Sequence, residues 1–335
     1  MRIFITGTSG FIGFHLANLL LKENFQVFGY DGLTPYYDIN LKKKRNEILL
    51  KYSKFSFNQG MLEDLKNLEQ LFEKYQPEVI VHLAAQAGVR YSLENPRSYL
   101  DSNVIGTFNV MEMAKKYKVS HLLMASTSSV YGSNTDMPFV ETSKADTQLT
   151  IYAATKKATE SMAHAYAHLW NLPTTMVRFF TVYGPWGRPD MALYKFVSAI
   201  LDDKPIDIFN QGKMYRDFTY IDDLVLSIRK LIDVVPSIQK ERQVKTRDSL
   251  SEAAPFRIVN IGNSKKVKLL DFIEAIENVL QKKAIRNYMP IQKGDVPETW
   301  SDTSLLDSLI DYHPETDFKE GITRFIEWYK DYYKI

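Results

Sequence analysis

Hydrophobic and polar positions follow two periods in the first half of the chain. Short apolar runs with few charges at Arg2–Thr6, Gln26–Tyr30, Glu78–Leu83, His121–Ala125 and Thr174–Phe179 predict buried strands. Between them, Phe11–Lys22, Leu65–Tyr75, Pro96–Tyr117 and Tyr152–Trp170 carry helical spacing. Strands that alternate with helices at this interval predict an α/β fold, a doubly wound parallel sheet with helices on both faces. Strands covered on both sides need few charges, as these runs show. The second half is less regular. Helices are expected at Ala192–Leu201, Asp222–Val234, Leu269–Leu280 and Lys319–Tyr333, and strand pieces at Ile206–Phe209, Phe218–Thr219 and Arg257–Asn260. Ser237–Pro255 is polar without a period and reads as a surface loop. The insertion Thr34–Lys51 contains the run Lys42–Lys43–Lys44–Arg45, which reads as a solvated helix face.

The first strand runs into Gly7-Thr8-Ser9-Gly10-Phe11-Ile12-Gly13, and a helix follows. Glycines between a strand and a helix let the backbone approach a pyrophosphate, and the helix N-terminus offers free N–H groups to it. The spacing is GxxGxxG rather than GxGxxG, so the loop alone says little. The next strand leads to Asp31, 18 residues after Gly13. An acidic side chain there can bind adenosine ribose hydroxyls and repel a 2′-phosphate. Loop, Asp31 and strand–helix–strand context together predict a Rossmann-like domain that binds NAD in preference to NADP.

Tyr152 and Lys156 form the one YxxxK pair among the 20 tyrosines. At this spacing they share a helix face. A phenol with a pKa near ~10 becomes a usable base beside an ammonium and a cationic nicotinamide. Upstream, Ser126-Thr127-Ser128-Ser129 ends a strand of the parallel sheet, where ligands bind. Those hydroxyls suit a sugar, a carbonyl or a carboxylate.

Gly7, Gly10, Gly13, Asp31, Thr127 and Tyr152-xxx-Lys156 resemble the extended short-chain dehydrogenase/reductase family, within its NAD-dependent epimerase/dehydratase group, over essentially the whole chain. Four longer segments sharpen the likeness: HLAAQAGVRYS at His82–Ser92, YAATKKATE at Tyr152–Glu160, RFFTVYGPWGRPDMA at Arg178–Ala192 and RDFTYIDD at Arg216–Asp223. They look like UDP-glucuronate 4-epimerases. The resemblance implies an NAD-binding domain over 1–180, which the chain rejoins near 216–235 and 256–262, and a smaller α/β nucleotide-sugar-binding domain over 181–335. It implies NAD contacts from Gly7, Gly10, Phe11, Ile12, Gly13, Asp31, Leu83, Ala84, Ala85, Asn103, Tyr152 and Lys156, and a catalytic trio of Thr127, Tyr152 and Lys156. Around the UDP-sugar it places Thr127, Arg188, Arg216 and Asp295. We add Ser128, Ser129 and Thr181 as donors to a substrate carboxylate. Thr181 stands where related UDP-galactose epimerases commonly have Asn. Ser128 follows Thr127 where sugar dehydratases and decarboxylating relatives place an acid. Gly60-Met61 departs from the family's Gly-Asp, whose Asp meets adenine. The expected activity is 4-epimerisation of UDP-glucuronate. A UDP-glucose/UDP-galactose 4-epimerase, a UDP-glucuronate decarboxylase and a non-catalytic dinucleotide-sensing scaffold stay open as alternatives. The family also implies a homodimer built on the helix of Tyr152, whose Ala158, Ala163, Ala165 and Ala167 permit close approach.

Composition narrows the classes. The 335 residues carry 42 basic and 40 acidic groups, so nucleic-acid binding is not expected. The absence of cysteine removes disulfides, thiolate metal sites and cysteine nucleophiles. His164 and His168 are four apart without a third ligand in view, so packing is expected rather than a metal. Trp328, Tyr329, Tyr332 and Tyr333 read as helix packing. No apolar run approaches the ~18 residues of a membrane span, and the first residues lack a leader pattern, so a cytoplasmic location is expected.

Overall fold

The computed structural model describes residues 1–238 and 248–335. Thirteen strands lie among these: β1 Arg2–Thr6, β2 Gln26–Asp31, β3 Phe55–Gln59, β4 Val79–His82, β5 His121–Thr127, β6 Thr174–Phe179, β7 Thr181–Tyr183, β8 Pro205–Ile208, β9 Tyr215–Tyr220, β10 Phe256–Ile261, β11 Lys266–Lys268, β12 Ile285–Tyr288 and β13 Glu298–Thr299. The α-helices are α1 Phe11–Lys22, α2 Ile39–Leu49, α3 Leu65–Tyr75, α4 Tyr91–Glu94, α5 Pro96–Tyr99, α6 Thr107–Lys116, α7 Ile151–Trp170, α8 Ala192–Leu201, α9 Ile221–Ile232, α10 Leu269–Leu280, α11 Ser304–Ile310 and α12 Phe318–Tyr333.

Seven strands form one parallel sheet in the order β3-β2-β1-β4-β5-β6-β10. The order reverses between β1 and β4, which opens a crevice at the carboxyl ends of the strands. Alternate residues of β1 enter different cores: Ile3 and Ile5 pack with α1 and α9 residues, and Phe4 packs with Leu68, Phe72 and Val110. Both faces are therefore dry, which is why β4 and β5 are buried throughout. The chain returns at α9, which packs beside α1, and at β10, which closes the sheet edge. The remaining strands form a small sheet centred on β9 and the pair β8–β12. They stand over the carboxyl ends of the large sheet and complete the cleft.

One expectation changes. Pro96–Tyr117 is not one regular helix. Leu100–Gly106 winds as a wider π-turn between α5 and α6. This turn sets Asn103 inward, where its amide holds the backbone of Gln86. Residues 239–247 of the expected loop Ser237–Pro255 lie outside the described residues. The C-terminal aromatics pack as expected: Trp328 meets Trp186 and Tyr194, and Tyr332 meets Trp186.

Candidate active site

A cleft of about 1940 Å³ runs between the carboxyl ends of the large sheet and the smaller strands. Its floor is the glycine loop. Gly7 has φ +82°, a conformation open to glycine, and its N–H reaches Tyr30 O at 2.7 Å. A Cβ on Gly13 would lie 2.1 Å from Gly7 O. No side chain caps α1, so the N–H groups of its first turn are left for an anion in the cleft. Asp31 accepts from Ser9 N at 3.0 Å and Leu33 N at 2.8 Å, which fixes its carboxylate on the cleft wall. Leu83, Ala84 and Ala85 line the facing side, and Thr6 Oγ1 accepts from the N–H groups of Leu83 and Ala84. His82 joins Thr6 to Thr107 beneath them; burial, then the nearby Lys156 charge, lowers it to about 3, so it stays neutral. Met61 is exposed on the rim, and its carbonyl accepts from Tyr30 OH at 2.8 Å.

Thr127 ends β5, and α7 begins beside it. Thr150 caps α7 by accepting from Ala153 N at 3.2 Å, which fixes where the helix starts. Tyr152 and Lys156 then face the cleft one turn apart. Burial raises the Tyr152 phenol, while the nearby Thr127 hydroxyl and the positive charge of Arg188 pull it back. Lys156 is 3% exposed; burial lowers it to about 8, and Glu160 opposes that. Glu160 accepts from Ser126 Oγ at 2.6 Å, from Arg178 Nε and Nη2 at 2.9 Å each, and from Lys157 at 3.1 Å. The guanidinium of Arg178 lies 4.7 Å from the Tyr131 ring centre. Thus a buried ion pair sits directly behind the YxxxK face.

The expected sugar-side residues line the same cleft. Thr127 Oγ1 accepts from Ser129 N at 3.2 Å, and Ser128, Ser129 and Thr181 line the cleft with it. Arg188 holds Asp190 through Nε at 3.0 Å and Nη2 at 2.5 Å. Arg216 meets Asp295 at 2.8 Å and also donates to Val296 O and Pro297 O. The fold therefore gathers residues from nearly 300 positions of chain into one cleft. Asn103 is the exception. It is fully buried behind the wall, donating to Gln86 O at 3.0 Å and Thr155 Oγ1 at 3.2 Å, and does not line the cleft.

The basic run corrects the sequence reading. Lys43 and Lys44 are exposed on α2, but Lys42 is 6% exposed and Arg45 is fully buried. A helix turns residues three apart to one face, so a run of four cations cannot all meet solvent when α2 packs on the sheet. Lys42 donates to Thr34 O at 2.8 Å and lines the cleft near Asp31. His164 and His168 bond Ser251 Oγ and Ala253 O, which ties α7 to the segment before β10. Residues that the sequence reading gave no role of their own also face the cleft. Tyr36 donates to Asp190 at 3.1 Å, and Arg90 lies 4.6 Å from the Phe209 ring centre. Glu160 and Arg178 were detectable in principle: Glu160 is one turn past Lys156, and Arg178 is a cation inside an apolar strand.

The profile of the NAD dependent epimerase/dehydratase family matches residues 3–245. A probable UDP-glucuronate 4-epimerase of Rhizobium meliloti is 53% identical over 337 residues, covering 100% of this chain and 98% of that protein. UDP-glucuronate 4-epimerase 2 of Arabidopsis thaliana is 42% identical, covering 100% of this chain and 77% of that protein. Among solved structures, the UDP-glucuronic acid 4-epimerase of Bacillus cereus in complex with UDP-glucuronic acid and NAD superimposes with a TM-score of 0.89. Its sequence is 31% identical, and the match covers 99% of this chain and 100% of that one.

Proposed function

The chain belongs to the NAD-dependent epimerase/dehydratase family, and from that membership we propose that it interconverts UDP-glucuronate and UDP-galacturonate by 4-epimerisation. One observation carries the proposal: the Tyr152 phenol, near Thr127, and Lys156 one helical turn further along α7 line a cleft that joins a glycine loop to two arginines on the sugar side. The residues fit NAD. The uncapped α1 N-terminus and Gly7, Gly10, Phe11, Ile12 and Gly13 suit its pyrophosphate, Asp31 its adenosine ribose, and Leu83, Ala84, Ala85 and Lys156 its other half. Asn103 serves by holding Gln86 rather than by contact. When bound, NAD supplies a reversible hydride acceptor for C4 of the sugar.

Tyr152 as phenolate takes the O4 proton while C4 is oxidised, and it returns that proton to O4 once C4 has been reduced from its other face. Thr127 orients O4 by a hydrogen bond. Lys156 as ammonium stabilises the phenolate. Arg188, Arg216 and Asp295 hold the UDP-sugar, which must turn over between the two half-reactions. A 4-keto uronate is a β-keto acid, and it loses CO2 when its carboxylate bond aligns with the ketone π system. Ser128, Ser129 and Thr181 offer neutral donors that hold the carboxylate out of that alignment. No acid follows Thr127 to promote chemistry at C5. These features favour the uronate epimerase over a decarboxylase or a neutral-sugar epimerase.

The proposal extends to a cytoplasmic homodimer that supplies activated galacturonate to polysaccharide biosynthesis. Exposed apolar residues on neighbouring segments support the dimer: Ile105 on the π-turn, Phe108 on α6, and Ile151, Leu169 and Trp170 on α7. Ala158 and Ala165 face outward on α7, while Ala163 and Ala167 are buried inside. No helix among the described residues is long and apolar enough to cross a membrane. The test is product analysis of purified protein with UDP-glucuronate, with and without added NAD. UDP-galacturonate without UDP-pentose is expected. UDP-pentose as the main product, or turnover of UDP-glucose alone, overturns the assignment.

A further inference from the structure

The buried cation of the Lys42–Arg45 run is unusual in what surrounds it. Arg45 is fully buried, and no carboxylate lies within ion-pair distance of it among the described residues. Its hydrogen-bond partners are three backbone carbonyls and one hydroxyl. Nη1 donates to Ser9 O at 2.9 Å and to Tyr37 OH at 2.8 Å, and Nη2 donates to Trp186 O at 2.5 Å and to Gly187 O at 3.4 Å. Ser9 belongs to the glycine loop. Trp186 and Gly187 belong to the turn that presents Arg188 to the cleft. One guanidinium therefore clamps the two sides of the site together from behind.

The clamped turn needs holding. Trp186 has φ +60°, in the left-handed region that strains a non-glycine residue. His15 Nε2 donates to Pro185 O at 2.9 Å, and burial lowers His15 to about 4, so it acts as a neutral donor. Tyr36, on the same insertion as Arg45, reaches Asp190, the partner of Arg188. A charge buried without a counterion is expensive unless its donors are satisfied, and Arg45 Nε has no partner. An apolar side chain of the same volume would avoid that cost but could not hold carbonyls from two segments.

We propose that Arg45 is a positioning residue that ties the glycine loop to the 186–187 turn and thereby holds Arg188 in the cleft facing Tyr152. The proposal rests on the epimerase reading above. Arg45 does not line the cleft; it acts through Arg188, whose charge favours the Tyr152 phenolate.

A double-variant cycle on kcat/KM for UDP-glucuronate, run on the NAD-loaded protein, tests it. Arg45→Met and Arg188→Met should each lower kcat/KM by about 10–100-fold, since small displacements of a site residue cost that much. Arg45→Met/Arg188→Met should fall within about threefold of Arg188→Met alone, because a residue that is absent cannot be misplaced. All three variants should move the acidic limb of the pH profile upward, as the phenolate loses a favourable charge. Arg45→Lys, which keeps the charge and some donors, should recover part of the loss, and it carries the cycle if Arg45→Met does not fold. Losses that multiply in the double variant, or an unmoved acidic limb in Arg45→Met, overturn the proposal. If the wild-type protein turns over no UDP-glucuronate, the functional reading fails, and the cycle is read on the dissociation constant of UDP-glucose. Multiplying losses there overturn Arg45 as well; non-multiplying losses uphold it.

Discussion

Replacing Glu160 by glutamine isolates what the buried ion pair does for the catalytic helix. The Arg178 side chain is 1% exposed, and Glu160 supplies both oxygens that its Nε and Nη2 use. In Glu160→Gln the guanidinium keeps Glu141 O at 3.1 Å and the Tyr131 face but loses its counterion. Breaking one side of a buried pair costs about 3–5 kcal/mol. For 335 residues the unfolding entropy makes that a fall of about 4–7 °C in Tm. A second effect reaches the chemistry. Burial lowers Lys156 to about 8, and the Glu160 charge opposes that fall. The ammonium is present below that pH and is lost as pH rises through it. Without Glu160 the loss begins at lower pH, so the alkaline limb of kcat/KM should shift to lower pH. Glu160→Gln/Arg178→Met removes the stranded cation and should recover at least half of the lost Tm, while the shifted limb remains. The assays are thermal melts and pH–rate profiles on all three variants. An alkaline limb unchanged in Glu160→Gln, or a double variant no more stable than the single, refutes the reasoning.

Other variants test the remaining parts. Tyr152→Phe should lower kcat by about 10²–10⁴-fold while NAD binding, followed by calorimetry, stays within a few fold. Gly13→Ala puts a Cβ 2.1 Å from Gly7 O, so the loop must move; NAD affinity should fall at least about tenfold, and a Kd within twofold of wild type contradicts the packing argument. Thr181→Ala should raise the share of UDP-pentose among the products, and an unchanged chromatographic ratio counts against its role with the carboxylate. Trp170→Glu on the exposed end of α7 should halve the mass seen by light scattering if that face joins two copies.

Local signals along the chain determined a large part of this protein. The apolar runs and helical spacings depend only on near neighbours, so β1, α1, α3 and β6 lie where the pattern puts them. The glycine loop was legible because a tight strand-to-helix turn and a close ligand demand the same residue. Tyr152 and Lys156 were legible because four residues are one helical turn. Longer motifs then brought Arg188 and Arg216 into view, and the family resemblance brought Asp295, although nothing in their spacing says that they meet.

What packing decides could not be read this way. Four consecutive cations look alike until α2 is laid on the sheet, and then Lys43 and Lys44 meet water while Lys42 and Arg45 do not. Asn103 was expected to meet NAD alongside the cleft residues, but the π-turn aims it at Gln86 instead. The Glu160–Arg178 pair and the Tyr36–Asp190 bond join residues 18 and 154 positions apart. Such partners are chosen by the fold's geometry, because a buried charge or hydroxyl must find whatever complementary group the neighbouring element presents. Residue types and their periods set the scaffold and the catalytic pair. Only the tertiary structure settled which charges are buried, what neutralises them, and how the two sides of the cleft are held together.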